Sequence, residues 1–212
     1  MKPNDRSASK KAPASRLILL ELLTALVLIA GLSLFYSGFL FSRVQGRSME
    51  PTYKNSDFLL CLRRADLKRQ DIVCFQAQEG MLGDRETGTS LRRIIGLPGD
   101  TVEIQEDGSI TVNGSTLEEG YLDSDAQRSA SYRQDGIHTL TLGENAYFVL
   151  GDCRDIAVDS RDYGPLSGDA ILGRALSSPD ILVYILTIVA PLCVALVLFC
   201  LVDLWLRRKG GK

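Results

Sequence analysis

Two apolar blocks bracket this chain and constrain it more than any other feature. The first runs from about Leu17 to Phe41 and the second from about Ile181 to Leu206. Each is roughly 25 residues, long enough as a helix to cross a hydrocarbon core about 30 Å thick. Lys2, Arg6, Lys10, Lys11 and Arg16 precede the first, and Arg207, Arg208, Lys209 and Lys212 follow the second. Basic flanks stay on the cytoplasmic side, so both termini are expected inside and the section between the blocks outside. A cleavable signal peptide would have an apolar core of only about 7–15 residues with a small-residue cleavage site after it. The first block is longer and ends in Phe39, Leu40 and Phe41. Pro191 is expected to kink the second block without excluding it. The expected organisation is therefore a basic N-terminus (1–16), a first transmembrane helix (17–41), an extracytoplasmic domain (42–179), a second transmembrane helix (180–206) and a basic tail (207–212).

The balance of charge excludes some partners. A net charge of -2 over 212 residues leaves no basic footprint for nucleic acid. The lipid bilayer is the partner that the apolar blocks imply. Of five cysteines, Cys193 and Cys200 fall in the second block, and Cys61, Cys74 and Cys153 fall outside it, without metal-ligand spacing. Cys61 and Cys74 can pair if their strands are neighbours. No metal or organic cofactor is implied. Gly96-Leu97-Pro98-Gly99 lacks the lysine and spacing of a phosphate loop.

The section between the blocks reads as short strands and turns. Asp57–Leu62, Asp71–Phe75 and Tyr147–Leu150 are short apolar runs, and Thr101–Ile104 alternates. Ser109–Leu117 carries Asn113-Gly114, a strong hairpin signal. Asp123–Gly136 is polar and reads as a surface loop. No long helical period occurs here. A mostly antiparallel, barrel-like β domain between two transmembrane helices is the expected fold.

Three segments carry candidate chemistry. Gly46-Arg47-Ser48-Met49-Glu50-Pro51-Thr52 places a serine just past the first block. Arg92-Arg93-Ile94-Ile95-Gly96-Leu97-Pro98-Gly99-Asp100 is a strand meeting a Pro-Gly turn. Gly151-Asp152-Cys153-Arg154 is followed by Asp159-Ser160-Arg161 and Gly164, a density of acids and arginines typical of an ion-pair scaffold. Each segment taken singly reads as structural.

Taken in this order after an anchor, they resemble the boxes of type I signal peptidases. Those boxes are a serine in Ser-Met-x-Pro-Thr, a Lys-Arg-x-Ile-Gly-Leu-Pro-Gly-Asp strand and a Gly-Asp-Asn-Arg…Asp-Ser-Arg segment. Asp71-Ile72-Val73-Cys74-Phe75 is similar to the family's intervening strand, with Gln70 where glycine is usual. The resemblance covers roughly Val44 to Ala175. It implies an all-β serine endopeptidase that cleaves signal peptides from translocated preproteins and binds them as an added strand. It also implies Ser48 as nucleophile, with its own N–H in the oxyanion hole. Met49 and Leu91 fall where the family lines its substrate cleft, and Asp152, Arg154, Asp159 and Arg161 fall where it supports the site. A cytoplasmic self-cleaving repressor-type protease shares the dyad chemistry, but the two apolar blocks disfavour it.

The sequence departs from the family at the general base. The lysine position holds Arg92, and an arginine stays protonated in proteins and cannot take a serine proton. The serine that orients the lysine amine is replaced by Ala157, and Cys153 replaces the usual asparagine. His138 is the one histidine, and nothing in its spacing brings it to Ser48. Lys54 and Lys68 lie outside the box and read as surface charges. Two functions follow as expectations. One is a signal peptidase. The other is an impaired homologue that binds extended peptides as an assembly factor or chaperone for secreted or surface proteins. Arg92 is expected to form an ion pair with Asp159.

Overall fold

The computed structural model of the chain describes residues 14–77, 81, 88–122 and 128–177, and in the C-terminal segment 189, 192–197, 199, 200, 202 and 205. Helix α1 covers Ala14–Gly38 over 25 residues, with side chains described from Leu22 onward. Leu22, Leu23, Val27, Leu28 and Leu32 are all well exposed and fall on every side of the helix, so it is apolar around its circumference. Among the described residues, no helix is long and apolar enough to cross a membrane. The expected first span is corrected at its end: Phe39–Phe41 are strand, not helix. The expected second span, both basic termini and residues 123–127 of the polar loop fall largely or wholly outside the described residues. Residues 192–197 are helical.

Two compact units divide the chain. One comprises 1–36 and 177–212, and the other, Ser37–Leu176, holds the strands. The strand unit is nearly all antiparallel β, as the turn spacing predicts. Its strands are β1 (Phe39–Arg43), β2 (Phe58–Leu62), β3 (Ile72–Ala77), β4 (Gly88–Gly96), β5 (Thr101–Ile104), β6 (Ile110–Val112), β7 (Ser115–Thr116), β8 (Thr139–Thr141), β9 (Ala146–Leu150), β10 (Leu166–Ser167) and β11 (Ile171–Ala175). A single-turn helix, α2 (Ser160–Tyr163), and a 3-10 turn (Gly168–Ala170) complete it. Seven strands form a sheet in the order β1-β2-β11-β3-β4-β9-β10, and four form a second sheet, β7-β6-β5-β8.

The period-two pattern of the strands divides the core. On one face Val44, Met49, Leu59, Cys61, Cys74 and Leu91 pack together. Val73, Phe75, Ile94, Val149 and Leu166 form a second cluster. Ile95, Phe148 and Leu150 pack with Val102, Ile104, Ile110 and Val112 of the small sheet. Gly96 lets the two sheets approach closely: a Cβ there would lie 2.5 Å from a Val102 methyl. The β6–β7 hairpin turns at Asn113 and Gly114, both at positive φ (54° and 76°), as the primed turn between twisted strands requires.

Cys61 and Cys74 are joined although β2 and β3 are not neighbours. Each lies beside β11, Cys61 opposite Ala175 and Cys74 opposite Gly173, with Cα atoms 7.0 Å apart.

One edge of the large sheet is incomplete. β4 pairs with β3 from Gly88 to Arg93, but with β9 only from Arg93 onward. The second edge of Gly88–Leu91 therefore has no partner among the described strands, and it leads directly to Arg92.

Candidate active site

Ser48 stands on the turn between β1 and β2. Its backbone is tied to the third segment, because Cys153 N donates to Ser48 O at 3.0 Å. The turn closes on itself through Glu50 N to Arg47 O and Tyr53 N to Met49 O. Met49 points inward, 1% exposed, and shares its apolar cluster with Leu91, while Ser48 is left half-buried. The two residues expected to line a cleft are thus packed together beneath the serine.

Arg92 extends from β4 to this serine. Its Nη1 donates to Ser48 Oγ at 2.9 Å, to Leu91 O at 2.5 Å and to Ser90 Oγ at 3.3 Å. Its Nε and Nη2 both donate to Val158 O, at 3.0 and 2.6 Å. The residue is 2% exposed. The expected Arg92–Asp159 ion pair is corrected. Asp159 accepts from Arg161 through both oxygens, at 2.7 and 2.6 Å, and its Oδ2 also accepts from Gly151 N. Asp159 also caps α2, accepting from Arg161 N, so its lone pairs are committed within its own segment. The Val158 carbonyl takes the guanidinium instead.

The remaining arginines of the three segments each have a carboxylate. Arg93 grips Asp152 at 2.8 and 2.6 Å and stacks on Tyr121 at 3.8 Å. Thr52 Oγ1 donates to the same carboxylate at 2.5 Å, joining the serine turn to this pair. Arg154 reaches Glu119 Oε1 at 2.5 Å and Ser131 Oγ at 2.6 Å, and its Nε donates to Gly151 O. Asp152, Arg154, Asp159 and Arg161 are all at most 1% exposed. They form a desolvated scaffold in which each charge is neutralised, which offsets the cost of burying ions. Sequence reasoning missed Arg93, Glu119, Thr52 and Val158. Arg93 is visible in hindsight as the second residue of its box. Glu119 lies in no motif, and Val158 acts through its backbone, which no sequence pattern reveals.

Near the serine hydroxyl, the described residues provide donors and no base. Ala157 is fully buried, and its methyl carries no hydrogen-bonding group. His138 stacks on Tyr132 at 4.2 Å between ring centres, and its Nε2 meets Arg133 O. Lys54 and Lys68 are exposed. The Tyr163 hydroxyl has no hydrogen-bond partner. Burial pushes its phenol well above the ordinary range, although Arg92 pulls the other way, so it supplies no phenolate. Burial, with the Asp155 carboxylate accepting from its Sγ, pushes the Cys153 thiol up to about 11. Among the described residues, no cluster of ligating side chains could hold a metal ion.

Comparison with known proteins places these segments in context. Residues 19–178 match the family model for signal peptidase, peptidase S26. A probable signal peptidase I-2 from Synechocystis sp. is 31% identical over 158 residues, 73% of this chain and 68% of that protein. Signal peptidase I U from Bacillus subtilis is 31% identical over 77% of this chain and 87% of its own. A crystal structure of a signal peptidase I from Enterococcus faecalis is 32% identical, covering 53% of this chain and 98% of that one, with a TM-score of 0.42.

Proposed function

The chain belongs to the signal peptidase family S26, and from that premise we propose that it engages the signal peptides of translocated preproteins as a catalytically impaired signal peptidase. The observation that carries this reading is the bond from Arg92 Nη1 to Ser48 Oγ. A serine nucleophile needs a group that accepts its proton, and a guanidinium can only donate. General-base help is typically worth about 10²–10⁴-fold in rate, and that help is missing here. Among the described residues, Ser48 is the candidate nucleophile, with its own N–H as oxyanion donor. Gly88–Leu91 has no strand partner on its second edge among the described residues, and the main-chain groups there other than the Leu91 carbonyl, which Arg92 holds, are the ones an extended peptide would pair with, the strand-addition mode of recognition.

Membrane anchoring is part of the proposal. A helix apolar on every side has no polar face to offer water, so it belongs in a core or a bilayer. Leu22, Leu23, Val27, Leu28 and Leu32 of α1 are exposed around its circumference. With basic residues at both chain ends, the positive-inside rule puts the termini in the cytoplasm and the β domain outside. A tag within the polar stretch 123–136 should be digested by protease added to intact spheroplasts, and its protection would overturn this topology.

The functional test uses the full chain purified in detergent and a fluorogenic peptide with an Ala-x-Ala site. We expect measurable binding and slow cleavage that Ser48→Ala abolishes. Turnover that survives Ser48→Ala would remove Ser48 as the nucleophile. A second reading, an assembly factor that only binds, is favoured by the same Arg92 geometry, and binding without any Ser48-dependent cleavage would select it.

A further inference from the structure

Four arginines of the site segments are buried: Arg92, Arg93, Arg154 and Arg161, all at most 7% exposed. Three are neutralised, by Asp152, Glu119 and Asp159. Arg92 alone has no carboxylate among the described residues. Its partners are two carbonyls and two hydroxyls, all uncharged. A buried cation without a counter-ion is costly, and the cost is removed when an anion arrives.

The direction of arrival is set by Ser48. The remaining partners of Arg92 belong to β4 itself and to Val158, whereas Ser48 is half-buried and open on its turn. Because Ser48 Oγ accepts from Arg92, its own hydroxyl hydrogen is free to donate. A group placed there meets a hydroxyl donor backed by a guanidinium, a combination suited to a carboxylate. The open edge of Gly88–Leu91 ends at this point. A peptide continuing past Ser48 would present a neutral amide carbonyl to the unpaired charge. A peptide ending there would present its terminal carboxylate.

We propose that Arg92 and Ser48 form a receptor for the free C-terminal carboxylate of an extended peptide, so the site prefers chains that end at Ser48 over chains that run through it. The proposal rests on the strand-addition reading above and adds the chemistry of the ligand's end. It makes the site a holder of cleaved segments, the species a peptidase releases, rather than of uncut precursors.

The experiment compares three fluorescent peptides on the full chain in detergent by anisotropy. One ends in Ala-x-Ala with a free acid, one is the same peptide with a C-terminal amide, and one continues for several residues past the same sequence. The acid should bind about ten- to a hundredfold more tightly than the amide or the extended peptide, as expected for losing a charge-assisted hydrogen bond. Arg92→Gln should bring the three affinities together, and Arg92→Lys should keep a preference for the acid. The wild-type comparison needs no variant, so it stands even if Arg92→Gln fails to fold. Equal binding of all three by the unchanged protein overturns the carboxylate receptor and leaves strand addition standing. Binding of none of them overturns both. A preference for the acid that persists in folded Arg92→Gln also overturns the assignment to Arg92.

Discussion

The guanidinium of Arg92 donates to the hydroxyl oxygen of Ser48 at 2.9 Å, while the Val158 carbonyl holds its other edge at 3.0 and 2.6 Å. The arginine is therefore clamped from the far side and reaches the serine as a rigid fork. It orients the hydroxyl and stabilises negative charge near it, but leaves the serine proton without an acceptor. Family membership and site chemistry thus pull in different directions, and experiments on the base position separate them.

Restoring the base should restore the rate. Arg92→Lys alone should gain little, because the family's lysine-orienting serine is replaced here by Ala157. Ala157→Ser alone places a hydroxyl in a fully buried position, one residue before the Val158 carbonyl that holds Arg92. An unsatisfied buried hydroxyl costs about 1–3 kcal/mol, so this single variant should also melt earlier. The double variant should cleave an Ala-x-Ala peptide about 10²–10⁴-fold faster than the unchanged protein. If the unchanged protein already matches the double variant, the impaired-peptidase reading is wrong.

Gly151 should tolerate no side chain. A Cβ there would lie 2.3 Å from the Ala157 Cβ and 2.7 Å from Ser48 O. Neither neighbour is the flexible end of a side chain, so the serine turn and the third segment would have to separate. Gly151→Ala should weaken peptide binding and lower the melting temperature together, at a cost of about 1–3 kcal/mol from overpacking. Unchanged binding and melting would show that the turn yields more easily than its contacts imply.

The Asp159–Arg161 pair should be structural. Asp159 neutralises Arg161, accepts from Gly151 N and caps α2, all at 0% exposure. Asp159→Ala strands a buried guanidinium, and such losses typically cost about 3–5 kcal/mol. Denaturant midpoints should fall accordingly. A stability loss under about 1 kcal/mol would mean that Arg161 finds another anion or reaches water.

Cys153 should resist alkylation at neutral pH. The thiolate is the reactive species, and burial together with the Asp155 acceptor holds the thiol at about 11. The folded protein should show little iodoacetamide label at this residue near pH 7, mapped by peptide mass to separate it from Cys193 and Cys200. Labelling should rise as pH approaches 11, because the thiolate fraction grows only then. Rapid labelling at pH 7 in the folded state would contradict this environment.

The sequence by itself determines much of this protein's fold. Short strands separated by turn residues, with Asn113-Gly114 at a tight hairpin, dictate an antiparallel β domain because period-two burial and positive-φ turns are local properties. The order and residue types of the three segments single out Ser48 and Arg92, which the fold brings to 2.9 Å of each other. What tertiary structure alone decided was pairing. Sequence reasoning pairs Arg92 with Asp159 because Arg92 and Ala157 depart together from the family pattern. In the fold Asp159 is occupied by Arg161 and the α2 cap, and a backbone carbonyl takes the guanidinium. Glu119 likewise belongs to no motif yet neutralises Arg154. Phe39–Phe41 read as the end of an apolar helix, but hydrogen bonding to β2 makes them strand. Apolar runs state only that a segment shuns water. Which group meets a buried charge, and which backbone completes a sheet, depends on segments distant in the chain, and only the folded arrangement brings them together.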